Sequence, residues 1–176
     1  MTSRVDLADA VVATWETNNR VTAFLFERLP AVLWPLAVPG TSRRTVRTIA
    51  GHIHNIRCMW IKMLGQRHGV RAPKRVSLHT VTRDELLPAL ERSSQGVVDL
   101  LRVGIEAGGQ IPASGVAWVN LPIDVVHVLA YLVAHEGHHR GQIVMLAREA
   151  GHRLPGEVTA GLWQWKRRAK EAQGRG

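Results

Sequence analysis

Three histidines in this chain have the spacing to share one ligand. His135 and His139 lie one helical turn apart in Ala134-His135-Glu136-Gly137-His138-His139-Arg140, and His52 lies in Ala50-Gly51-His52-Ile53-His54-Asn55. Two imidazoles at i and i+4 on one helix face point into the same space and make a bidentate metal site. A third imidazole from another helix completes a three-nitrogen site with an open position, the arrangement that catalytic metal centres keep. His135-Glu136-Gly137-His138-His139 also fits H-E-x-x-H, in which the glutamate serves as general base toward a water.

Helical geometry tests whether the three rings can meet. At roughly 100° per residue, Ile49, Ile53, Ile56, Met59, Trp60 and Met63 fall within about 100° of arc around His52. His54 lands on the opposite side, beside Arg47 and Cys58, which reads as a polar, outward arc. Around His135, the residues Val125, Val128, Leu132, His139, Ile143, Leu146 and Ala150 form one stripe. His138 falls off its centre, with His127 and Met145. Three histidines are therefore expected inward and the others outward or lateral. A lone histidine on an apolar face is usually a hydrogen-bonded core residue; three, two of them at i,i+4, favour a metal site.

The elements that carry them are helices. Strand periodicity is nearly absent, and proline and glycine punctuate the chain. A first helix is expected from about Leu7 to Leu29, followed by a loop from Pro30 to Gly40. Thr41 or Ser42 is the expected cap of a second helix, which carries His52 and ends near Gly65. A basic connector spans Gln66 to Val81. Thr82 and Glu85 open a third helix as a capping box, and it reaches about Glu106. After a loop from Gly108 to Leu121, Pro122 sits in the first turn of a fourth helix that ends at Gly151. A short terminal helix carries Trp163 and Trp165, and residues 171–176 are expected to be disordered. The fold class is thus all-α, a four-helix bundle with a short extra C-terminal helix, in one domain over residues 1–176. Gly137 and Gly141, both inside the fourth helix, suggest close approach by a neighbouring helix.

Composition narrows the function. The chain has 176 residues and a net charge of +9, from 23 Lys and Arg against 14 Asp and Glu. The cations are scattered, with compact runs only at Arg43-Arg44 with Arg47, at Arg67 to Arg75, and at Lys166-Arg167-Arg168. No nucleic-acid motif accompanies them, so no specific nucleic-acid partner is expected. No apolar run approaches the roughly 18 residues of a membrane span. The start of the chain lacks the pattern of a signal peptide, and the one cysteine, Cys58, reads as a surface or interface residue; a cytoplasmic location is expected. The lateral strip of His127, Tyr131, His138 and Met145 is too apolar for a solvated face. It is expected to be covered by the C-terminal helix or by a second subunit, giving a homodimer.

The segment from Thr48 to Arg57 and the later His135-x-x-x-His139-Arg140-Gly141-Gln142-Ile143 resemble the DinB/YfiT-like metalloenzyme family. Helix order and length agree over nearly the whole chain. The resemblance implies a four-helix bundle with a long crossover connection that brings the second and fourth helices beside a metal. It implies His52, His135 and His139 as ligands, with Zn or Ni the expected ion. It further implies a small-molecule substrate and a metal-dependent transferase that uses a low-molecular-weight thiol, such as bacillithiol or mycothiol, on small electrophiles. Arg57 and Arg140 are the arginines nearest the motifs for holding an anionic thiol, though each reads first as a surface or loop-anchoring residue.

Alternatives remain open at this point. A metal-dependent small-molecule hydrolase would use Glu136 as its base, whether beside the metal or one shell removed; the same residue also suits a partner for a basic group at the helix interface. A peptidase is disfavoured. The longer H-E-x-x-H-x-x-G-x-x-H form fails at Gln142 and Met145, and Glu157 belongs to the start of the terminal helix. A non-catalytic metal-binding or damage-response protein is the third reading. A fourth protein ligand closing the site would favour it, with His138 or Gln142 the nearest candidates.

Overall fold

The computed structural model describes residues 4–41, 43–112 and 120–174. Six α-helices dominate it: α1 (Leu7–Arg28), α2 (Val46–Trp60), α3 (Arg83–Glu106), α4 (Val125–Glu149), α5 (Gly156–Gly161) and α6 (Trp165–Gln173). No strand occurs among the described residues, only two isolated bridges. No helix among them is long and apolar enough to cross a membrane.

The helix ends follow local chemistry. Asp6 caps α1 by accepting from the Ala8 and Asp9 amides. Thr82 and Glu85 form the expected capping box of α3. Two starts differ from expectation. α2 is capped by Thr45, whose side chain accepts from the Thr48 amide while Thr48 reaches back; Thr41 precedes it by a turn and Ser42 lies outside the described residues. α4 is capped by Asp124, which accepts from the Val126 and His127 amides, and Pro122 lies outside the helix. In both cases a side-chain oxygen closer to the helix claims the free N–H groups. Beyond Trp60, α2 continues as a π-turn over Ile61–Gly65, so the helical run does end at Gly65. The last helix, α6, runs as far as Gln173. Glu171, expected in a loose tail, accepts from Arg20 at 2.8 Å and pairs with Arg167 and Arg168.

Contacts along the helices give the topology. α1 is antiparallel to α3, with Trp15 bonded to Ser94 and Asn19 to Glu91. It is parallel to α4, with Asn18 bonded to Glu136 and Thr22 to Arg140. α2 is antiparallel to α4, with His52 against His139 and Trp60 against Tyr131. It is parallel to α3, with His54 bonded to Ser93 and Ile61 beside Gly96. Two parallel neighbours demand a connection that travels back along the bundle, and residues 66–82 supply it. This is the long crossover.

The crossover lies as a strap over α2. Asn55 donates Nδ2 to the Val76 carbonyl at 3.0 Å and accepts from the Val76 amide at 2.9 Å. Arg47 donates to the His79 carbonyl at 2.7 Å. Gly51 lets Leu78 approach, since a Cβ there would stand 3.1 Å from Leu78 Cδ2. The strap corrects three expectations. His54 and Cys58, assigned to an outward arc, are buried. His54 bonds Ser93 Oγ on one side and the Lys74 carbonyl on the other, each at 3.0 Å. Arg57, read as a surface or loop-anchoring residue, is buried as well. A helix covered by α3, α4 and an irregular strap has no polar face left.

The core falls into two apolar clusters. One gathers Phe26, Leu33, Ile49, Ile53, Leu86, Leu90, Ile143 and Leu146. The other gathers Trp15, Trp60, Ile61, Val97, Leu101, Val128 and Leu132. Between them, at mid-height, α1, α2 and α4 contribute Asn18, Thr22, Arg57, Glu136 and Arg140, all buried. Gly137 and Gly141 do not mark a close helix contact. A Cβ on Gly141 would meet nothing within 4 Å, and one on Gly137 only Arg140 Nη2 at 3.7 Å. α6 packs on α1 rather than on α4. His127, His138 and Met145 are therefore exposed and Tyr131 half-buried, and Trp163 is exposed too.

Candidate metal centre

His52 from α2 and His135 and His139 from α4 converge beside the buried polar layer. One ring nitrogen of each lies within 4.8 Å of the other two. Ring centroids stand 5.3 Å apart for His52 and His135, 4.8 Å for His52 and His139, and 4.4 Å for His135 and His139. His135 Nε2 and His139 Nε2 are 3.1 Å apart. Two imidazoles on one tetrahedral ion at about 2.0–2.1 Å would hold their nitrogens about 3.3 Å apart, so this pair is spaced for a shared ion. His139 is buried, and the other two are half-buried.

A neighbouring amide fixes the His139 tautomer. His139 Nδ1 donates to Gln142 Oε1 at 2.9 Å, which leaves the Nε2 lone pair facing His135 and His52. Gln142 Oε1 also accepts from Arg44 Nη2 at 2.9 Å, and its Nε2 donates to His138 Nε2 at 2.8 Å. Both ends of the amide are thus engaged, and His138 faces it from the exposed side. Neither residue adds a fourth ligand. Tyr131 stacks on His135 at 6.0 Å between centroids.

Burial disfavours the charged form of all three rings. Burial and the His139 and His52 rings push His135 down to about 4. Burial and the Arg44 charge push His52 below its ordinary value. His139 is also lowered, by burial first, with its bond to Gln142 opposing. A neutral imidazole keeps the lone pair that a metal needs. The donor set therefore fits a borderline-soft divalent ion such as Zn²⁺.

The cluster opens on a cleft of about 380 Å³, lined by Arg43, Arg44, Thr48, Ile49, His52, Leu78, His79 and His139. A larger hollow of about 920 Å³ lies along the strap, over Cys58, Met59 and Met63, and includes none of the three histidines. Its size reflects the gap between strap and helix, so the smaller cleft is the one that bears on chemistry.

Glu136 is in the protein interior. Its Oε1 accepts from Arg57 Nε at 2.6 Å. Its Oε2 accepts from Arg57 Nη2 at 2.9 Å, Asn18 Nδ2 at 2.9 Å and Thr22 Oγ1 at 2.7 Å. Arg140 Nη1 stands 3.6 Å away and bonds Asn18 and Thr22. Burial pushes the Glu136 carboxyl up, but Arg57 and Arg140 outweigh it and hold it below the usual range. Of the two roles the sequence left open, the geometry brings Glu136 to a basic partner at the helix interface. Arg57 and Arg140 are anchored there and line neither the histidine cleft nor the hollow along the strap. Sequence reasoning missed Asn18 and Thr22; the polar run Thr17-Asn18-Asn19-Arg20 within a buried stretch of α1 was the available signal. Glu157 is exposed in the first turn of α5.

The fold, the crossover and the histidine cluster agree with the resemblance carried by the two histidine motifs. No curated protein matches the sequence. The model of the DinB family matches residues 1–169, nearly the whole chain, and the chain belongs to the DinB family.

Proposed function

We propose that the protein holds one divalent ion, zinc or nickel, through His52, His135 and His139, and transfers a low-molecular-weight thiol of the bacillithiol or mycothiol type to small electrophiles. The observation that carries the metal assignment is the convergence of three imidazole nitrogens within 4.8 Å. Family membership supports it. When bound, such an ion supplies a Lewis acid that lowers the pKa of a sulfur ligand toward neutrality.

The protein's own residues supply the rest. Gln142 holds His139 in the ligating tautomer, and Tyr131 backs His135. With three protein donors and a cleft on one side, the cluster retains room for a small molecule. The hydrolase reading needs a free carboxylate base. Glu136 already accepts four hydrogen bonds in a buried layer, which favours the thiol reading over it.

Metal analysis of protein purified without added metal, followed by assays with bacillithiol, mycothiol and glutathione against an electrophile panel, tests the reading. Metal-dependent loss of thiol and electrophile together is expected. A metal-loaded protein that consumes neither removes the transferase assignment and leaves the metal site standing.

A further inference from the structure

Each of the four arginines buried among the described residues has a carboxylate partner. Arg20 bonds Glu27 and Glu171, Arg57 bonds Glu136, Arg140 stands 3.6 Å from Glu136, and Arg168 bonds Glu171. The two arginines that line the histidine cleft are different. Among the described residues, no Asp or Glu lies within ion-pair distance of Arg43 or Arg44, and no Asp or Glu lines the cleft. Arg44 spends one donor on a neutral amide, Gln142 Oε1 at 2.9 Å. That amide cannot compensate its charge.

Position makes this charge informative. Arg44 and His139 share a single acceptor, Gln142 Oε1, each at 2.9 Å. The guanidinium is thus fixed one amide oxygen away from a ring of the cluster, and it lines the same cleft as Arg43 and His79. A guanidinium presents planar donors that match the two oxygens of a carboxylate or the face of a phosphate. A cleft of this size suits a small molecule.

We propose that Arg43 and Arg44 form an anion-recognising wall, which binds a carboxylate or phosphate group of the small molecule whose reacting atom lies at the histidine cluster. In its application to a thiol, this rests on the transferase reading above; the anion site itself does not. Arg44 then has two contacts to serve, the anion on one side and the Gln142 that positions His139 on the other.

Two measurements test it. In the first, metal-free protein is titrated separately with inorganic phosphate and with acetate, while NMR follows the Gln142 side-chain amide and the arginine Nε–H signals. Saturable shifts are expected, and the anion that saturates at lower concentration identifies the preferred group. The Arg43→Gln/Arg44→Gln double variant changes two exposed residues. It should fold normally and weaken binding about tenfold or more. Shifts that never saturate, or equal binding by the double variant, overturn the proposal.

In the second, cobalt-loaded protein is titrated with N-acetylcysteine and with its neutral amide, read by the sulfur-to-cobalt absorption band. Wild type should prefer the carboxylate form about tenfold, and the double variant should lose the preference. Equal affinity in wild type overturns the anion wall. Failure of both thiols alongside a saturating phosphate titration removes the thiol reading and leaves the wall in place.

Discussion

Arg57 grips Glu136 through both carboxylate oxygens, at 2.6 Å and 2.9 Å, although 79 residues separate them in the chain. The pair ties α2 to α4 at the level where those helices present their histidines. It is buried on both sides and lies between the two apolar clusters. A one-residue rotation of α4 would break this pair and turn His135 and His139 away together, because all three belong to the same two turns. The ion pair therefore joins α2 to α4 at the level of the three histidines.

Glu136→Gln keeps the side-chain volume and removes the charge. Arg57 and Arg140 then remain buried without a counter-ion, which costs about 3–5 kcal/mol. Urea denaturation should show that loss, while the folded fraction still binds metal. If the thiol reading holds, turnover per folded, metal-loaded molecule should fall only modestly. A drop of about 10²–10⁴-fold would instead assign Glu136 the role of general base.

The lowered histidines set a pH dependence. His135 is held near 4, against an ordinary value of 6.5, because the folded protein disfavours its charged form. In the metal-free protein this contribution to stability is present above about pH 6.5 and is lost progressively as pH falls toward 4, since the unfolded chain takes up the proton first. His135→Gln should therefore flatten part of the acid-side loss, seen in urea midpoints measured at pH 7.5, 6 and 5. By the same shift, protons should compete with metal only well below pH 6.5, which a zinc titration across that range would show.

The strap predicts a contrast between two neighbours on α2. Asn55→Ala removes both bonds to Val76 and leaves backbone groups of the strap without partners, costing about 1–3 kcal/mol. Hydrogen exchange should quicken through residues 74–79, which carry the Leu78 and His79 wall of the cleft. Gly51→Ala meets the flexible end of Leu78 at 3.1 Å, with Val76 and Val81 at an ordinary contact distance of 3.5 Å, and should cost less than about 1.5 kcal/mol. Equal exchange rates in both variants would count against the strap as the cleft's support.

The strip of His127, Tyr131, His138 and Met145 is left open by α6. The homodimer expected on that face should appear in light scattering as twice the chain mass of 19.5 kDa at micromolar concentration. A monomer throughout that range would rule it out.

What the sequence made legible follows from periodicity. The inward arcs of α2 and α4 predicted which histidines meet, because regular helices convert spacing into direction. The same wheel misplaced His54 and Cys58. It assumes one wet face, whereas an aperiodic strap covers that face of α2 and leaves no repeat to read. The caps at Thr45 and Asp124 were missed because several capping residues stood within a turn of each start. Gly137 was misread as a packing glycine, since glycine reports space without saying what fills it. The partner of Glu136 was beyond reach for a different reason. Its near neighbour Arg140 is readable at i,i+4, but Arg57 comes from another helix and only the assembled bundle brings it there.

The proposed chemistry rests on three imidazoles that hold one ion. X-ray absorption on protein purified without added metal, together with elemental analysis, tests it most directly. One divalent first-row ion per chain is expected, with three nitrogen scatterers at about 2.0–2.1 Å. Each of His52→Ala, His135→Ala and His139→Ala should lose that ion while keeping its helical spectrum. Metal retained at full stoichiometry by any of these three variants, or a wild-type protein that binds no divalent ion even when zinc or nickel is supplied, would contradict it.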